Sequence, residues 1–244
     1  MNRKVIGKII SYSVATFGLL LVAIGVALSI ISNLGTAPLS CPSYVVAGIW
    51  GLSVGNWTII INTSYILIQL AVLRSQFKLK YLMQILASLV FGYLIDFSLF
   101  CLNWLHPTTF VFRFGLIILS CFITALGISI EVVARAWMLS AEMTVYAFTK
   151  VIHKPFGNIK IVMDSSLVAI SSLIAFILFR NPFGFGEYTG FAEILLGKTE
   201  GVVIGLGTLV SALVTGWMMR FTDPIGNKIM DSIIDKFILI QETE

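Results

Sequence analysis

The stretch Gly55-Asn-Trp-Thr-Ile-Ile-Ile-Asn-Thr-Ser64 returns in altered form as Gly157-Asn-Ile-Lys-Ile-Val-Met-Asp-Ser-Ser166. The offset that aligns these two stretches also pairs similar residues elsewhere in the chain. With one insertion allowed, it pairs Gly25 with Gly127, Tyr44 with Tyr146, and Val90-Phe-Gly-Tyr93 with Val214-Thr-Gly-Trp217. An internal repeat in an apolar chain is typical of transporters and channels.

The composition indicates a chain whose solvent is largely lipid. Of 244 residues, 58% are hydrophobic and 11% are charged, whereas soluble domains carry about 25% charged residues. Six apolar runs approach the ~20 residues that a membrane-spanning helix needs, and they cover 9–32, 57–73, 81–100, 112–134, 159–179 and 201–221. Two further runs, 38–50 and 140–151, are too short to cross. Because the repeat includes the first run, we interpret that run as a span and not as a cleaved secretory signal.

The distribution of basic residues predicts the topology, because cytoplasmic loops are rich in lysine and arginine. Basic residues cluster in four places, namely 3–8, 74–80, 150–160 and the region after Arg220. All four lie on one side only if each short run leaves the membrane by the face it entered. The sequence therefore predicts an all-α polytopic membrane protein with cytoplasmic termini. Two inverted repeats would each have three transmembrane helices plus a short re-entrant or broken half-helix.

The predicted boundaries follow from this topology. The first membrane repeat covers residues 1–100, and the second covers 101–222. Residues 223–244 are expected to form a cytoplasmic amphipathic helix, because isoleucines recur at helical spacing after Pro224. The three cysteines and two histidines show neither a disulfide framework nor metal-ligand spacing. We therefore predict no cofactor, no metal and no enzymatic activity, and we attribute the charge of +4 to topology and not to nucleic acid.

The predicted site lies where the two half-helices begin. Gly35 and Pro38 favour a turn followed by a helix start, and Thr36 is the predicted cap. In the second repeat, Ser140 is the predicted cap of a helix that begins near Ala141. Unpaired N–H groups at such helix ends attract anions and polar solutes. The predicted lining consists of Asn33, Thr36, Ser40, Tyr44, Glu131, Arg135, Glu142 and Tyr146.

Three acidic residues are candidates for a coupling proton, because ionisable groups at membrane depth mark pathways or proton relays. They are Glu142, Glu131 and Asp164. Each also has a structural interpretation. Glu131 could form an ion pair with Arg135 four residues on, Glu142 could complement its helix dipole, and Asp164 could snorkel toward the basic loop. Asp96 is interpreted as a solvated residue at the membrane interface.

Several segments resemble the bacterial YczE/YitT-type integral membrane proteins, over about residues 15–220. The resemblance is carried by Asn33-Leu-Gly-Thr-Ala-Pro38, Leu52-Ser-Val-Gly-Asn-Trp-Thr58, Val90-Phe-Gly-Tyr-Leu-Ile-Asp96, Gly127-Ile-Ser-Ile-Glu131, Lys154-Pro-Phe-Gly157, Lys160 and Asp164. The second half departs from the family pattern at Arg135 and at Ala141-Glu-Met143. The resemblance implies a protein of the bacterial cytoplasmic membrane that acts as a transporter, and it implies no substrate.

The leading hypothesis is a transporter for a small polar or anionic solute, bound at the membrane midplane and coupled to protons. In such a protein the two repeats rock against each other. The alternatives are a channel built on the paired half-helices and a scaffold or sensor partner without transport. The expected partners are membrane lipid and a small solute, with no nucleic acid. Assembly into a homo-oligomer is possible.

Single cysteines at positions 36 and 50, in a cysteine-free background, test the re-entrant segment. A membrane-impermeant thiol reagent is expected to reach both from the same compartment, because a re-entrant segment returns to the face it entered. Labelling from opposite compartments would contradict the inverted repeat.

Overall fold

The computed structural model describes residues 3–48, 51–74, 77, 79–134, 136, 138–184 and 202–242, and for 3–6, 8, 79–80 and 229–242 it describes the backbone only. The α-helices in these ranges are α1 (Arg3–Ile31), α2 (Cys41–Ala47), α3 (Val54–Leu73), α4 (Met83–Cys101), α5 (Phe110–Ala134), α6 (Ser140–Ile152), α7 (Phe156–Phe179) and α8 (Leu206–Glu242). Short 3-10 helices cover Pro38–Ser40 and Leu79–Leu82. The predicted all-α class is confirmed for this part of the chain, where an isolated β-bridge joins Gly184 to Val202.

Among the described residues, five helical segments are long and apolar enough to cross a membrane. They are Ile9–Ile31, Val54–Leu73, Met83–Cys101, Phe110–Ala134 and Phe156–Phe179, and they correspond to five of the six predicted spans. Large apolar side chains such as Leu67 and Phe100 point outward, with 68% and 80% of their surface exposed. Exposed large apolar side chains on these helices suit lipid and not water. These are the features of a multi-pass membrane protein.

The sixth predicted span differs from the structure at its start. Helix α8 begins at Leu206 and not near 201, because the chain before it pairs with the turn after α1. Thr36 N–H donates to Val203 O at 2.8 Å, and Gly207 N–H donates to Leu34 O at 2.8 Å. The apolar part of α8 before Arg220 is therefore about 21 Å long, which is shorter than the ~30 Å hydrocarbon core.

The C-terminal segment is helical, as predicted, but it is not a separate helix. Helix α8 runs for 37 residues and contains Pro224 in its interior. Proline there removes one backbone hydrogen bond and does not break the helix in this case. The side of α8 next to the proline packs on α5, where Ser129 Oγ lies 2.8 Å from Thr222 Oγ1 and donates to Asp223 Oδ1 at 2.6 Å.

Helices α1 and α5 cross closely because glycine lies on both. A Cβ atom placed on Gly18 would lie 2.8 Å from Gly127 O, and a Cβ on Gly127 would lie 2.7 Å from Gly18 O. Further along, a Cβ on Gly25 would lie 3.0 Å from Ser120 O. Such contacts let backbones approach without a side chain between them, which is how helices commonly associate in membranes.

Two other glycine crossings involve residues that the sequence comparison aligned. On α3 and α4, a Cβ on Gly92 would lie 2.6 Å from Gly55 O. On α7 and α8, a Cβ on Gly157 would lie 3.2 Å from Gly216 O. Gly55 is aligned with Gly157, and Gly92 is aligned with Gly216. Equivalent positions in the two halves therefore make equivalent contacts.

The two short helices are too short to cross a bilayer. Helix α2 has 7 residues and α6 has 13, so their lengths are about 10 Å and 20 Å. Each packs against both α3 and α7. The first short run was predicted to extend to about Trp50. Helix α2 ends at Ala47, and Trp50 lies outside the described residues.

The two predicted caps are wrong. The cap positions are Ala37 for the 3-10 turn and Leu139 for α6, so neither Thr36 nor Ser140 occupies them. Side chains from the preceding spans accept the N–H groups instead. Ser29 Oγ accepts from Ala37 N at 3.0 Å, and Glu131 Oε1 accepts from Leu139 N. A hydroxyl at the cap itself is therefore not needed.

Asp96 also differs from its interpretation as a solvated interface residue. It is half-buried, and its two oxygens accept from Ser53 Oγ at 2.6 Å and from Gly55 N at 3.0 Å. Ser53 is the N-cap of α3, and its hydroxyl accepts from Asn56 N. Asp96 thus fixes the start of α3 against α4.

Substitution of Gly55 by alanine tests the helix crossings. A methyl group there collides with the Gly92 carbonyl and with Asp96, so the variant is expected to lose about 1–3 kcal/mol of stability. Gly115→Ala is the control, because a Cβ at Gly115 meets nothing within 4 Å. Thermal unfolding in detergent should show a lower Tm for Gly55→Ala and an unchanged or higher Tm for Gly115→Ala. Equal Tm values would contradict the close crossing.

Candidate functional site

Four ionisable side chains form a buried cluster in the helical bundle. Glu131 and Glu142 are 0% exposed, Asp164 is 3% exposed and Lys160 is 4% exposed. Lys160 Nζ lies 3.0 Å from Asp164 Oδ1 and 3.7 Å from Glu142 Oε1. Glu131 interacts electrostatically with Glu142 and Lys160. We call Glu131, Glu142, Lys160 and Asp164 the charged cluster.

Local helix geometry explains how these residues meet. Lys160 and Asp164 are four residues apart on α7, so they share one face. Glu142 is in the first turn of α6. Glu131 lies near the end of α5, where its carboxylate accepts the Leu139 N–H. The break between α5 and α6 thus brings two acidic residues from neighbouring helices to the lysine of a third.

Two glutamines hold the start of α6 in place. Gln69 on α3 and Gln84 on α4 form a reciprocal amide pair, with N···O distances of 2.7 and 2.9 Å. The Gln69 amide also donates to Ser140 O at 2.9 Å. Sequence reasoning missed this pair. The available signal was a glutamine in each of two apolar runs, since such a side chain needs a buried partner.

Several polar atoms around the charged cluster have no hydrogen-bond partner among the described residues. They include Glu131 Oε2 and both carboxylate oxygens of Glu142. The distance of 3.7 Å from Lys160 Nζ to Glu142 makes an ion pair but is too long for a hydrogen bond. Buried acceptors without donors are costly. The cluster therefore has spare capacity to accept hydrogen bonds.

The charge balance of the cluster is negative. Among the described residues, three carboxyl groups face one ammonium group, so full ionisation of these four side chains would leave a net charge of −2 in an apolar interior. Burying uncompensated charge costs several kcal/mol per ion. Protons or another cation must therefore neutralise part of this charge, and the cluster is suited to bind and release them.

A small cavity adjoins the cluster. Its volume is about 20 Å³, enough for about one water molecule. It is lined by Val22, Val26, Ala37, Pro38, Leu39, Thr124, Ile128, Glu142, Lys160, Asp164 and Thr215. The first residues of the Pro38–Ser40 turn and the first turn of α6 both reach it. The cavity therefore lies where the two short helices begin.

The first half of the chain has neutral polar residues at the positions equivalent to the charged cluster. The repeat offset aligns Ser29 with Glu131, Ser40 with Glu142, Thr58 with Lys160, and Asn62 with Asp164. All four neutral residues are 0–1% exposed. The two halves thus bury polar groups at the same places, and only the second half makes them ionisable.

The predicted site residues are only partly brought together. Ser40 is buried, and its hydroxyl has no partner among the described residues. Thr36 is buried and its hydroxyl contacts Val203 O and Cys41 Sγ. Asn33 is half-buried with a left-handed backbone, at φ 52°. Arg135 lies outside the described residues, and so does its predicted pairing with Glu131.

The two tyrosines lie away from the cavity lining. Tyr44 is half-buried and packs with Cys41, Val45 and Val203. Tyr146 is 39% exposed, and Lys150 Nζ lies 5.3 Å above its ring. Lys160 was assigned from sequence to a basic loop, and its place in the cluster was missed. Asp164 is buried against Lys160 and does not snorkel.

This chain belongs to a family of unknown function, DUF6198. The family model matches residues 9–202, a range that contains the charged cluster and both short helices. No curated protein and no solved structure shows significant similarity to the chain. The match shows membership of this family, and it shows neither a relationship to the YczE/YitT-type proteins nor a bacterial origin.

Substitution of Lys160 by methionine tests the charge balance. It leaves three carboxyl groups without their ammonium partner and is expected to cost about 3–5 kcal/mol of stability. Thermal unfolding should show a much lower Tm, and adding Asp164→Asn should recover part of the loss. Lys150→Met, at an exposed lysine, is the control and should change stability by less than about 1 kcal/mol. A Lys160→Met variant as stable as the parent protein would contradict a lysine that balances buried carboxylates.

Proposed function

We propose that this chain is a secondary transporter that moves a small polar solute across a bacterial cytoplasmic membrane, coupled to protons. The observation that carries the proposal is the charged cluster beside a small cavity, with Glu142 lacking a hydrogen-bond partner among the described residues. Ionisable residues at membrane depth are costly, and they usually mark substrate pathways or proton relays. The cavity is the proposed centre of the solute site.

The proposed architecture is two inverted repeats, with α2 and α6 as re-entrant helices and both termini in the cytoplasm. Equivalent contacts in the two halves support it. The Gly55–Gly92 contact corresponds to the Gly157–Gly216 contact. The bond from Ala37 N to Ser29 corresponds to the bond from Leu139 N to Glu131. Repeats that each have an odd number of spans necessarily have opposite orientations.

The proposed mechanism is rocking of one repeat against the other around the cavity. Glycine-mediated crossings bring the backbones of α1 and α5, one from each repeat, into direct contact, and this contact is the proposed pivot. A cavity of about 20 Å³ holds about one water molecule and is too small to form a water-filled path across the bundle. Among the described residues, this small volume favours a transporter over the channel alternative, since a channel needs a continuous polar pore.

The charge balance narrows the solute class. The sequence-based hypothesis allowed a polar or an anionic solute. Among the described residues, an anion would meet three carboxyl groups and one ammonium group, so it fits the cluster less well than an uncharged or positively charged solute. We therefore retain a small polar solute in the proposal.

The acidic residues have different proposed roles. Glu142 carries the coupling proton, because it lines the cavity and neither of its carboxylate oxygens has a hydrogen-bond partner among the described residues. Asp164 holds Lys160 in place through the 3.0 Å contact. Glu131 caps the start of α6 with one oxygen and is the second proton-binding candidate with the other.

Substitution of Glu142 by glutamine in proteoliposomes tests the proposal. A panel of amino acids, amines and organic acids is applied singly, and a pH-sensitive dye inside the vesicles reports proton movement. The parent protein should give saturable, solute-dependent proton flux, and Glu142→Gln should lower it at least ~tenfold. Asp223→Asn is the matched control, because it removes the charge of an exposed carboxylate that contacts Ser129, while the asparagine oxygen can still accept that hydrogen bond. Non-saturable conduction, or full coupling in Glu142→Gln, would contradict a transporter that couples through this residue.

A further inference from the structure

The unpaired polar groups in the bundle are acceptors and hydroxyls. Among the described residues, the unpaired acceptor oxygens belong to Glu131, Glu142 and Asn62. The other unpaired side chains are hydroxyls, which can donate or accept, and they belong to Ser40, Ser43, Tyr65, Ser98 and Thr124. In this part of the chain no unpaired buried side-chain nitrogen accompanies them. Of these, the Glu142 carboxylate oxygens and the Thr124 hydroxyl belong to the cavity lining, so the unpaired side chains there complement a ligand that donates hydrogen bonds.

The contacts of Lys160 show that the carboxylates of the cluster accommodate an ammonium group as hydrogen-bond donor. Its primary ammonium lies 3.0 Å from Asp164 and 3.7 Å from Glu142. Hydrogen bonding to Asp164 thus leaves Glu142 only a longer ionic contact. Because the lysine balances one of three carboxyl groups, Glu131 and Glu142 stay available to a second positive charge.

The size of the cavity limits that second cation. About 20 Å³ of space holds roughly one water molecule, and an ammonium ion is of similar size. Glu142 and Thr124 both line the cavity, and both have unpaired oxygens and are at least nine-tenths buried. A built pocket of this kind offers a carboxylate and hydroxyls to a compact N–H donor.

We propose that the cavity binds a small N–H-bearing cation, ammonium or a short alkylammonium, at Glu142 in exchange for a proton. The inference rests on the proposed transport function and assigns its solute to a chemical class. The cation replaces the proton of the Glu142 carboxyl group, which leaves as H⁺, so the charge in the site does not change. Because the cation and the proton compete for the same carboxylate, binding of one releases the other, and transport would exchange them in opposite directions.

The other groups near Glu142 come from each helix packed around it. Glu131 faces it from α5, Lys160 and Asp164 from α7, and Tyr65 from α3. Cys41, at the start of α2, faces Asp164. Lys160 opposes a second cation, and the two other carboxyl groups favour it, so Glu142 is the residue through which binding is tested.

The binding experiment uses the full-length protein in detergent at pH 8. Thermal unfolding is measured with ammonium chloride or methylammonium chloride, and with potassium chloride at the same ionic strength. A ligand that binds only the native state raises Tm in a saturable way. Ammonium and methylammonium should do so at concentrations at least ~tenfold below potassium, and their apparent affinity should fall by up to ~tenfold per pH unit on acidification. In weakly buffered solution, binding should release about one proton per cation.

Variants test whether the ammonium-dependent rise in Tm depends on Glu142. Glu142→Gln should abolish the ammonium-dependent rise in Tm, and Asp223→Asn should keep it. If Glu142→Gln does not fold, Glu142→Asp and proton release from the parent protein test the same point. A rise in Tm that is equal for potassium, independent of pH or kept in Glu142→Gln overturns the inference, and so does binding without proton release.

The failure of this inference is distinguishable from that of the transport function. Saturable proton flux driven by an uncharged solute, with no effect of ammonium, overturns the cation assignment and leaves the transporter. No proton-coupled flux with any solute of the panel overturns both.

Discussion

A lysine in an apolar interior is the constraint on which this structure depends. In lipid, an ammonium group cannot remain without counter-charges, and Lys160 finds them at Asp164 on its own helix and at Glu142 on α6. The second contact requires the chain to stop α5 at Ala134 and restart at Ser140. Glu131 and Gln69 hold that restart through the Leu139 N–H and the Ser140 carbonyl. The break, the cap and the cavity are therefore parts of one electrostatic arrangement.

The scaffold and the chemistry are distributed differently over the chain. Aligned glycines make aligned contacts in both halves, and Ser29 and Glu131 accept the same kind of backbone N–H group. The ionisable side chains, in contrast, occur only at the second member of each aligned pair. A backbone arrangement can thus be used twice while the charge-handling residues are confined to one half, which keeps the number of buried charges small.

Sequence periodicity and composition predicted much of the fold, because they report local properties. Five spans and two short helices follow from runs of apolar residues, and the depth of Glu142 follows from its place in a short run.

Features set by distant contacts were not predictable. Thr36 and Ser140 have the right chemistry for caps. The acceptors are instead Ser29 and Glu131, each eight residues before the N–H group that it accepts, at Ala37 and at Leu139. The sequence assigned Lys160 to a basic loop, because a count of charged residues cannot distinguish a solvated lysine from a lysine that is buried and paired. The late start of α8 depends on pairing with the turn after α1.

Helix α8 has a mechanical consequence. Its 37 residues give a length of about 55 Å, well beyond the ~30 Å hydrocarbon core. It contacts α5 near Thr222 and Gly226, and roughly 24 Å of helix extends past that contact. A tilt of about 10° there would displace the far end by about 4 Å. The length of α8 would therefore convert a small rotation at the α5 contact into a larger displacement at its C-terminal end.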